Sequence, residues 1–230
     1  MNAIFDMYDE RVGEIELYYK AISELYDQKT VQSENIYEFY KDDFLKMLKS
    51  NLILMIYNLV ESTIMGGILE IYDQLKTNGY TYNDVRKEIR TIWFEFKFSE
   101  VYDKNSHFNS YRDKAADIIS SILDEKVLEM NRKATDISGN LDADKIRIIC
   151  KEHGIQYTLE GACKGGVALK DVKEKRNNLA HGTLSFEECG RNYSLVDLNE
   201  IKDQTILFLK NILNGMNEYY IEKKYLSQCL

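Results

Sequence analysis

The chain has 230 residues, of which 38 are acidic and 30 are basic, so its formal net charge is −8. It contains no proline, where average usage would give roughly 11, and this favours long, uninterrupted helices. Hydrophobic residues make up 44% of the chain and charged residues 30%, which excludes the disordered and collagen-like classes. The acidic balance argues against a protein that coats nucleic acid with its whole surface, although a local basic patch would suffice for a nucleic-acid site.

Apolar residues recur every three to four positions along most of the chain, which is the spacing of helices with one buried face. Asp142 is expected to cap a helix, and Ser194 with Asp197 to form a capping box. Gly79 and Gly154 are expected to stop the helices that precede them. The predicted helices cover residues 3–27, 36–76, 82–98, 110–133, 143–153, 169–181 and 195–226, with a loop at 155–167. This order predicts an all-α, up-and-down bundle of six to seven helices in a single domain, residues 1–230.

Residues 52–71 form the most apolar stretch and are long enough to cross a bilayer. Asn58, Glu61 and Thr63 lie at its centre, where a carboxylate would cost several kcal/mol in a membrane. We therefore expect a buried core helix and no membrane partner. Glu61 has two open interpretations: a buried carboxylate satisfied by a core arginine or tyrosine, or a residue that orients an arginine of the functional site.

The cysteines and the N-terminal sequence predict a cytoplasmic protein. No basic segment followed by an apolar one opens the chain, so no secretory signal is expected. The cysteines form no CxxC motif, and we expect four free thiols in a reducing compartment. They are Cys150, Cys163, Cys189 and Cys229.

Two weak motifs predict no chemistry of their own. Cys150 and His153 have a CxxH spacing but no second ligand pair, so we expect no metal site, buried thiols and an exposed histidine at a helix end. Residues 161–166, GACKGG, lack the ending of a phosphate-binding P-loop. They are expected to be a flexible connection, or else a mobile loop that brings Lys164 to an anion. There is no GxSxG motif of a serine hydrolase.

The most distinctive segment is KDVKEKRNNLAHG, residues 170–182. Arg176 and His181 are separated by four residues, and the amide Asn177 follows the arginine directly. Four cations of this segment and the nearby Lys164 are accompanied only by Asp171 and Glu174, which makes a local charge of +3 in an acidic chain. The cations, all candidates for binding RNA phosphates, are Lys164, Lys170, Lys173, Lys175 and Arg176.

These residue types suit cleavage of a phosphodiester. Histidine can accept or donate a proton near neutral pH. The planar guanidinium of arginine can hold a phosphate and stabilise the charge that develops on it. RNA supplies its own nucleophile, the 2′-hydroxyl, so neither a metal nor another cofactor is required.

Helix geometry places one constraint on this chemistry. Five helical steps put Arg176 and His181 about 140° apart, with a rise of about 7.5 Å, so they do not share a face. Asn177 and His181 do share one. Gly182 indicates that the helix ends at His181, which could release the imidazole from the regular spiral. Two copies of the chain meeting across a two-fold axis could then assemble one cleft.

The segment KEKRNNLAHG resembles the R-x4-6-H motif of the HEPN superfamily, all-α domains of bacterial defence systems and toxin–antitoxin pairs. The similarity extends from about Met47 to Asp203 and is to the MAE-type branch. It is carried by the segments MLKSNLILMIYNLVESTIMGGILEIYD, EIRTIWFEFKF, SGNLDADKIRIICKEHGI and HGTLSFEECGRNYSLVDLNEIKD.

The resemblance implies a helical bundle that dimerises through its motif helices. For active members it implies a metal-independent endoribonuclease that leaves a 2′,3′-cyclic phosphate and a 5′-hydroxyl. The motif roles fall on Arg176, His181 and Asn177. Some members carry R-x4-H-x-Y, whose tyrosine an antitoxin modifies, but here Gly182 and Thr183 follow the histidine, so that regulation is not expected.

Three functions remain open from the sequence. The first is a homodimeric HEPN ribonuclease acting on RNA as a toxin or phage-defence effector, with an antitoxin or defence-system component as partner. The second is a non-catalytic dimeric HEPN module that binds RNA, a nucleotide or a partner protein. The third is a helical interaction protein whose motif holds the dimer together.

Overall fold

The computed structural model describes residues 1–27, 38–99, 108–135, 137 and 139–227. Within these residues the chain forms eight α-helices and two short 3-10 helices, and its β-structure is limited to isolated bridges. The α-helices are α1 (Asn2–Asp27), α2 (Glu38–Thr77), α3 (Lys87–Ser99), α4 (Phe108–Leu123), α5 (Ala143–His153), α6 (Ala168–Ala180), α7 (Phe186–Arg191) and α8 (Leu195–Ile221). The 3-10 helices are Arg132–Thr135 and Gly161–Gly166. The predicted all-α class is confirmed.

Helix α2 is the centre of the bundle, and α1, α6, α7 and α8 pack around it. Its 40 residues are apolar on several sides, as expected for a helix that is surrounded by others. Residues Asp42–Thr77 are long and apolar enough to cross a membrane by length and composition, but 61% of their most apolar window is buried inside the fold. The predicted burial of residues 52–71 is therefore observed.

Helices α3, α4 and α8 are shorter than predicted, because their neighbouring residues bond to other parts of the chain. Before α3, the Thr81 backbone N–H and hydroxyl both donate to the Asp84 carboxylate, which closes a turn in place of a first helical turn. After α4, the Leu128 N–H donates to the Tyr80 carbonyl. Beyond α8, Leu226 forms a β-bridge with Val85. The helical predictions for residues 82–86, 124–133 and 222–226 were wrong. The exception is residues 132 and 133, which belong to the 3-10 helix Arg132–Thr135.

Helix α7 was not predicted. Ser185 and Glu188 form its capping box, in which each side chain accepts a hydrogen bond from the other residue's backbone N–H. The helix packs closely on α2: a Cβ at Gly190 would lie 1.8 Å from the Lys46 carbonyl oxygen. Glycine is therefore required at this crossing.

The predicted caps of α5 and α8 are confirmed. Asp142 caps α5, Ser194 and Asp197 form the capping box of α8, and Gly154 ends α5 with a φ of 73°. The predicted loop 155–167 contains the 3-10 helix Gly161–Gly166, in which Lys164 and Gly165 adopt left-handed φ values of 46° and 65°. Cys150, Cys163 and Cys189 are buried free thiols, and Cys229 lies outside the described residues.

Candidate active site

The inner face of α6 contains the motif arginine. Leu169, Val172 and Leu179 are buried on this face at helical spacing. Arg176 falls on the same stripe, four residues after Val172 and three before Leu179, so its side chain points toward α2. A charged side chain on a buried stripe requires partners there.

Helix α2 supplies two of those partners. The Arg176 guanidinium carbon lies 4.6 Å from the centroid of the Tyr57 ring, a cation–π contact. Its Nη2 lies 3.7 Å from Glu61 Oε2. The Arg176 side chain keeps 29% of its surface exposed, so it packs on α2 without being fully covered.

The segment 139–142 runs beside α6 and holds the same arginine. Arg176 Nη1 donates to the Gly139 carbonyl at 3.2 Å and to Asn177 Oδ1 at 3.0 Å. Gly139 has a φ of 70°, and a Cβ there would lie 3.1 Å from Arg176 Nη1. Asn177 in turn donates from Nδ2 to Asn140 Oδ1 at 3.0 Å. The glycine therefore allows the backbone to approach the guanidinium.

Two further contacts fix this segment. The Leu141 N–H donates to the Tyr57 hydroxyl at 3.2 Å. Asp142 forms an ion pair with Lys173 and accepts a hydrogen bond from the Lys145 N–H at 2.9 Å. Burial acts to raise the pKa of Asp142, but the Lys173 ammonium and the backbone donors outweigh it, so the pKa lies below its usual value.

Glu61 contacts two arginines. Its Oε2 faces Arg176, and its Oε1 lies 3.2 Å from Nη2 of Arg132. The Glu61 side chain is 24% exposed, so it is half-buried and already paired. Its position beside Arg176 agrees with both interpretations of the sequence, a paired carboxylate and a residue that orients the arginine. The sequence does not indicate Arg132 as a site residue, because nothing in its local pattern marks it.

His181 lies at the end of α6 and is exposed. Its φ and ψ of −89° and −1° are still those of a right-handed helix, and Gly182 takes the left-handed turn with a φ of 68°. The imidazole therefore keeps the helical spacing, and within one chain it does not share a face with Arg176. Its ring makes no hydrogen bond or ion pair with the described residues.

Carboxylates from other parts of the chain reduce the basic character of the segment. Lys173 pairs with Asp142, Lys164 lies 3.6 Å from Glu200, and Arg176 faces Glu61. The local charge of +3 therefore does not describe the folded surface. Of the five cations, Lys170 and Lys175 have no ion pair among the described residues.

Lys164 and Lys170 also line a cleft of about 280 Å³ at the start of α6. Arg147 joins them there and donates to the Gly165 carbonyl. Asp142 and Asp144 line the same cleft. It is therefore mixed in charge.

Comparison with known proteins identifies the family. The model of the HEPN_MAE_28990-like HEPN family matches residues 1–225, nearly the whole chain. The chain belongs to this HEPN family. A search of the curated proteins and a search of the solved structures found no match.

The HEPN fold places the sequence RNNLAH on α6, where Arg176 faces the α2 core and His181 faces solvent. Asn177 lies between them and bonds to both the arginine and Asn140. Lys170 and Lys175 lie on the same helix. The structure thus brings Arg176, Asn177 and Glu61 together but leaves His181 apart from them in a single chain.

The prediction that the histidine of the CxxH sequence is exposed was wrong. His153 is not exposed: only 2% of its surface is accessible. Its Nε2 lies 2.8 Å from the Tyr72 hydroxyl and its Nδ1 lies 2.7 Å from the Ile149 carbonyl. Among the residues that the structure describes, no group of three or more histidine, cysteine, aspartate or glutamate side chains could hold a metal ion.

Proposed function

We propose that this HEPN protein is a metal-independent endoribonuclease that works as a homodimer, as a toxin or phage-defence effector. One observation carries the proposal: Arg176 is held on three sides by Tyr57, Glu61 and Gly139 and still reaches solvent. An arginine held in this way is pre-organised to bind a phosphate without first losing side-chain freedom. The exposed His181, five residues further along, supplies a group that can transfer protons.

The reaction uses the hydroxyl group of the substrate. His181 accepts the proton of the ribose 2′-hydroxyl, whose oxygen attacks the adjacent phosphorus. The bond from phosphorus to the 5′-oxygen breaks, and that oxygen takes up a proton, which leaves a 2′,3′-cyclic phosphate and a 5′-hydroxyl. Arg176 binds the scissile phosphate and stabilises the charge on its oxygens. Asn177 keeps the guanidinium in position through its Oδ1.

The geometry of α6 supports a site shared by two chains. His181 points about 140° away from Arg176 around the helix axis, so the two groups reach one phosphate only if α6 helices of two copies face each other. A two-fold axis beside α6 would place the histidine of one chain near the arginine of the other. Lys170 and Lys175 would then flank the cleft and bind neighbouring phosphates of the RNA.

Mixing two inactive variants tests both the chemistry and the shared site. Arg176→Ala and His181→Ala are each expected to cleave RNA at a small fraction of the wild-type rate in buffer with EDTA. After unfolding and refolding together in equal amounts, about a quarter of the wild-type activity should return, because half of the dimers are mixed and each has one intact site.

Three results would contradict the proposal. They are wild-type protein that leaves RNA intact, variants that cleave like the wild type, and a protein that sediments as a monomer at tens of micromolar. Arg112→Ala, which removes an exposed arginine on α4, is the matched control. A mixture that stays inactive would contradict a site assembled from the arginine of one chain and the histidine of the other.

A second function is favoured by a different feature of the same arginine. Arg176 Nη1 already donates to Gly139 and Asn177, and this is the arrangement of a fixed binding or structural residue. A non-catalytic HEPN module would bind RNA or a nucleotide through the exposed edge of the guanidinium without cleaving it. Binding of RNA by the wild type that Arg176→Ala abolishes, with no cleavage product, would identify this function.

A further inference from the structure

Arg132 contacts the same carboxylate as Arg176. Its Nη2 lies 3.2 Å from Glu61 Oε1, while Nη2 of Arg176 lies 3.7 Å from Glu61 Oε2. The two guanidiniums therefore lie on either side of one carboxylate. The side chain of Arg132 is 65% exposed, so it is open to a ligand that approaches from solvent.

The backbone beneath Arg132 is fixed although its side chain is exposed. The buried Thr135 donates from Oγ1 to the Arg132 carbonyl at 2.7 Å. The Lys133 N–H donates to Asn131 Oδ1 at 2.9 Å. The 3-10 helix Arg132–Thr135 packs against α2, the helix that carries Glu61. The position from which Arg132 extends is therefore set relative to Arg176.

The charges at this cluster do not balance. Among the residues that the structure describes, two guanidiniums face one carboxylate, so one positive charge is left over beside the partly exposed Arg176 side chain. A phosphodiester carries one negative charge and presents several acceptor oxygens, which suits two neighbouring guanidiniums. An ion pair whose arginine is largely exposed to solvent, such as Arg132–Glu61, contributes little to stability by itself, so stabilising the fold does not explain the arrangement.

We propose that Arg132 is a second phosphate-binding residue, which together with Arg176 holds an RNA phosphodiester across Glu61. The inference rests on the proposed function, because it assigns a second contact to the same substrate. Arg132 leaves Oε1 of Glu61 when RNA binds, while Glu61 continues to position Arg176 through Oε2.

A binding measurement on RNA that cannot be cleaved tests this contact apart from catalysis. The probe is a fluorescein-labelled, mixed-sequence 2′-O-methyl RNA, which lacks the nucleophile, and the readout is anisotropy over a series of salt concentrations. Arg132→Ala is expected to weaken binding about tenfold at low salt and to reduce the salt dependence of log K by about 0.7. Arg132→Lys should retain the salt dependence, and Arg112→Ala should change neither quantity.

The Glu61→Gln background separates a phosphate contact from an effect exerted through Glu61. If Arg132 contacts phosphate, Arg132→Ala weakens binding in this background as it does in the wild type. If Arg132 acts only by pairing with Glu61, the loss disappears in Glu61→Gln, and the proposal is overturned. The melting temperature of Arg132→Ala should equal that of the wild type, which shows that the variant is folded.

The outcomes also separate this inference from the proposed function. Wild-type protein that binds and cleaves RNA, with an Arg132→Ala variant that binds equally well, overturns the role of Arg132 alone. Wild-type protein that neither binds the probe nor cleaves RNA overturns both. A salt dependence that falls with Arg132→Ala and is restored by Arg132→Lys supports the contact.

Discussion

Helices α5 and α6 both end next to a His–Gly pair, and the two histidines have opposite surroundings. Gly154 and Gly182 take the same left-handed turn, with φ values of 73° and 68°. His153 nevertheless has 2% of its surface accessible, whereas His181 is exposed. The local sequence thus determines how each helix ends but not whether its histidine is available for chemistry.

The difference comes from the helices that pack over each site. Tyr72 of α2 and Tyr219 of α8 cover the end of α5, where they bond to the His153 ring and carbonyl. The Ile149 carbonyl can only accept, so Nδ1 of His153 carries the proton and Nε2 accepts from Tyr72. No described residue covers His181 in this way. We therefore expect His153 to affect stability and His181 to affect catalysis.

The largest effect is expected for His181→Ala. If RNA cleavage follows the proposed mechanism, loss of this general acid–base group should lower its rate by about a thousandfold. The melting temperature should remain that of the wild type, because the ring bonds to no described residue. Initial rates in EDTA and a thermal melt on the same preparation measure both quantities. A His181→Ala variant with a lower melting temperature, or with the wild-type cleavage rate, would contradict the expected difference between His153 and His181.

His153→Ala should show the reverse pattern. It leaves a cavity and removes a partner from the buried Tyr72 hydroxyl, so the free energy of unfolding should fall by about 3 kcal/mol. The rate of RNA cleavage per folded molecule should not change. Urea unfolding, with activity measured well below the transition, tests this. Unchanged stability would mean that the buried hydrogen bonds of His153 contribute nothing.

The pH dependence of stability should identify the buried histidine. Burial lowers the pKa of His153 from 6.5 to about 4, so between these values the unfolded chain binds a proton that the folded chain does not. Its contribution to stability is thus complete above pH 6.5 and is lost as the pH falls toward 4. The expected loss is about 2 kcal/mol between pH 7 and pH 5. Urea unfolding of His153→Gln should lack this part of the pH dependence, and identical profiles would refute the assignment.

The same contrast explains how far the sequence could predict the fold. Patterns that act within one helix were reliable: Asp142, Ser194 and Gly154 cap or end helices as expected, since their hydrogen bonds are local. Ser185 and Glu188 carry the same kind of signal, and it could have predicted α7. The prediction that α4 extends to residue 133 was wrong, because the Leu128 N–H bonds to the carbonyl of Tyr80, a residue distant in sequence.

The candidate site likewise has features that the local sequence shows and contacts that it does not show. The spacing of Arg176, Asn177 and His181 was visible in the sequence, and so was a carboxylate on the apolar helix. The ion pairs of Lys164 and Lys173 were not, because Glu200 and Asp142 lie far from them in the chain. Arg132 was missed for the same reason: only the packing of its 3-10 helix on α2 brings it to Glu61.

The smallest expected effect is the difference in the free energy of unfolding between alanine substitutions at Gly154 and at Gly182. Alanine at either position must adopt a left-handed φ, at a cost of about 1 kcal/mol. At Gly182 a Cβ would meet nothing within 4 Å, whereas at Gly154 it would lie 2.7 Å from the Arg86 guanidinium carbon. That guanidinium is held by Glu88 at 2.7 and 2.8 Å, so it cannot move away freely. We expect Gly154→Ala to lower the free energy of unfolding by about 1 kcal/mol more than Gly182→Ala, because the steric conflict adds to the backbone strain. Urea unfolding of the two variants in parallel measures the difference, and equal losses would show that Arg86 moves aside without cost.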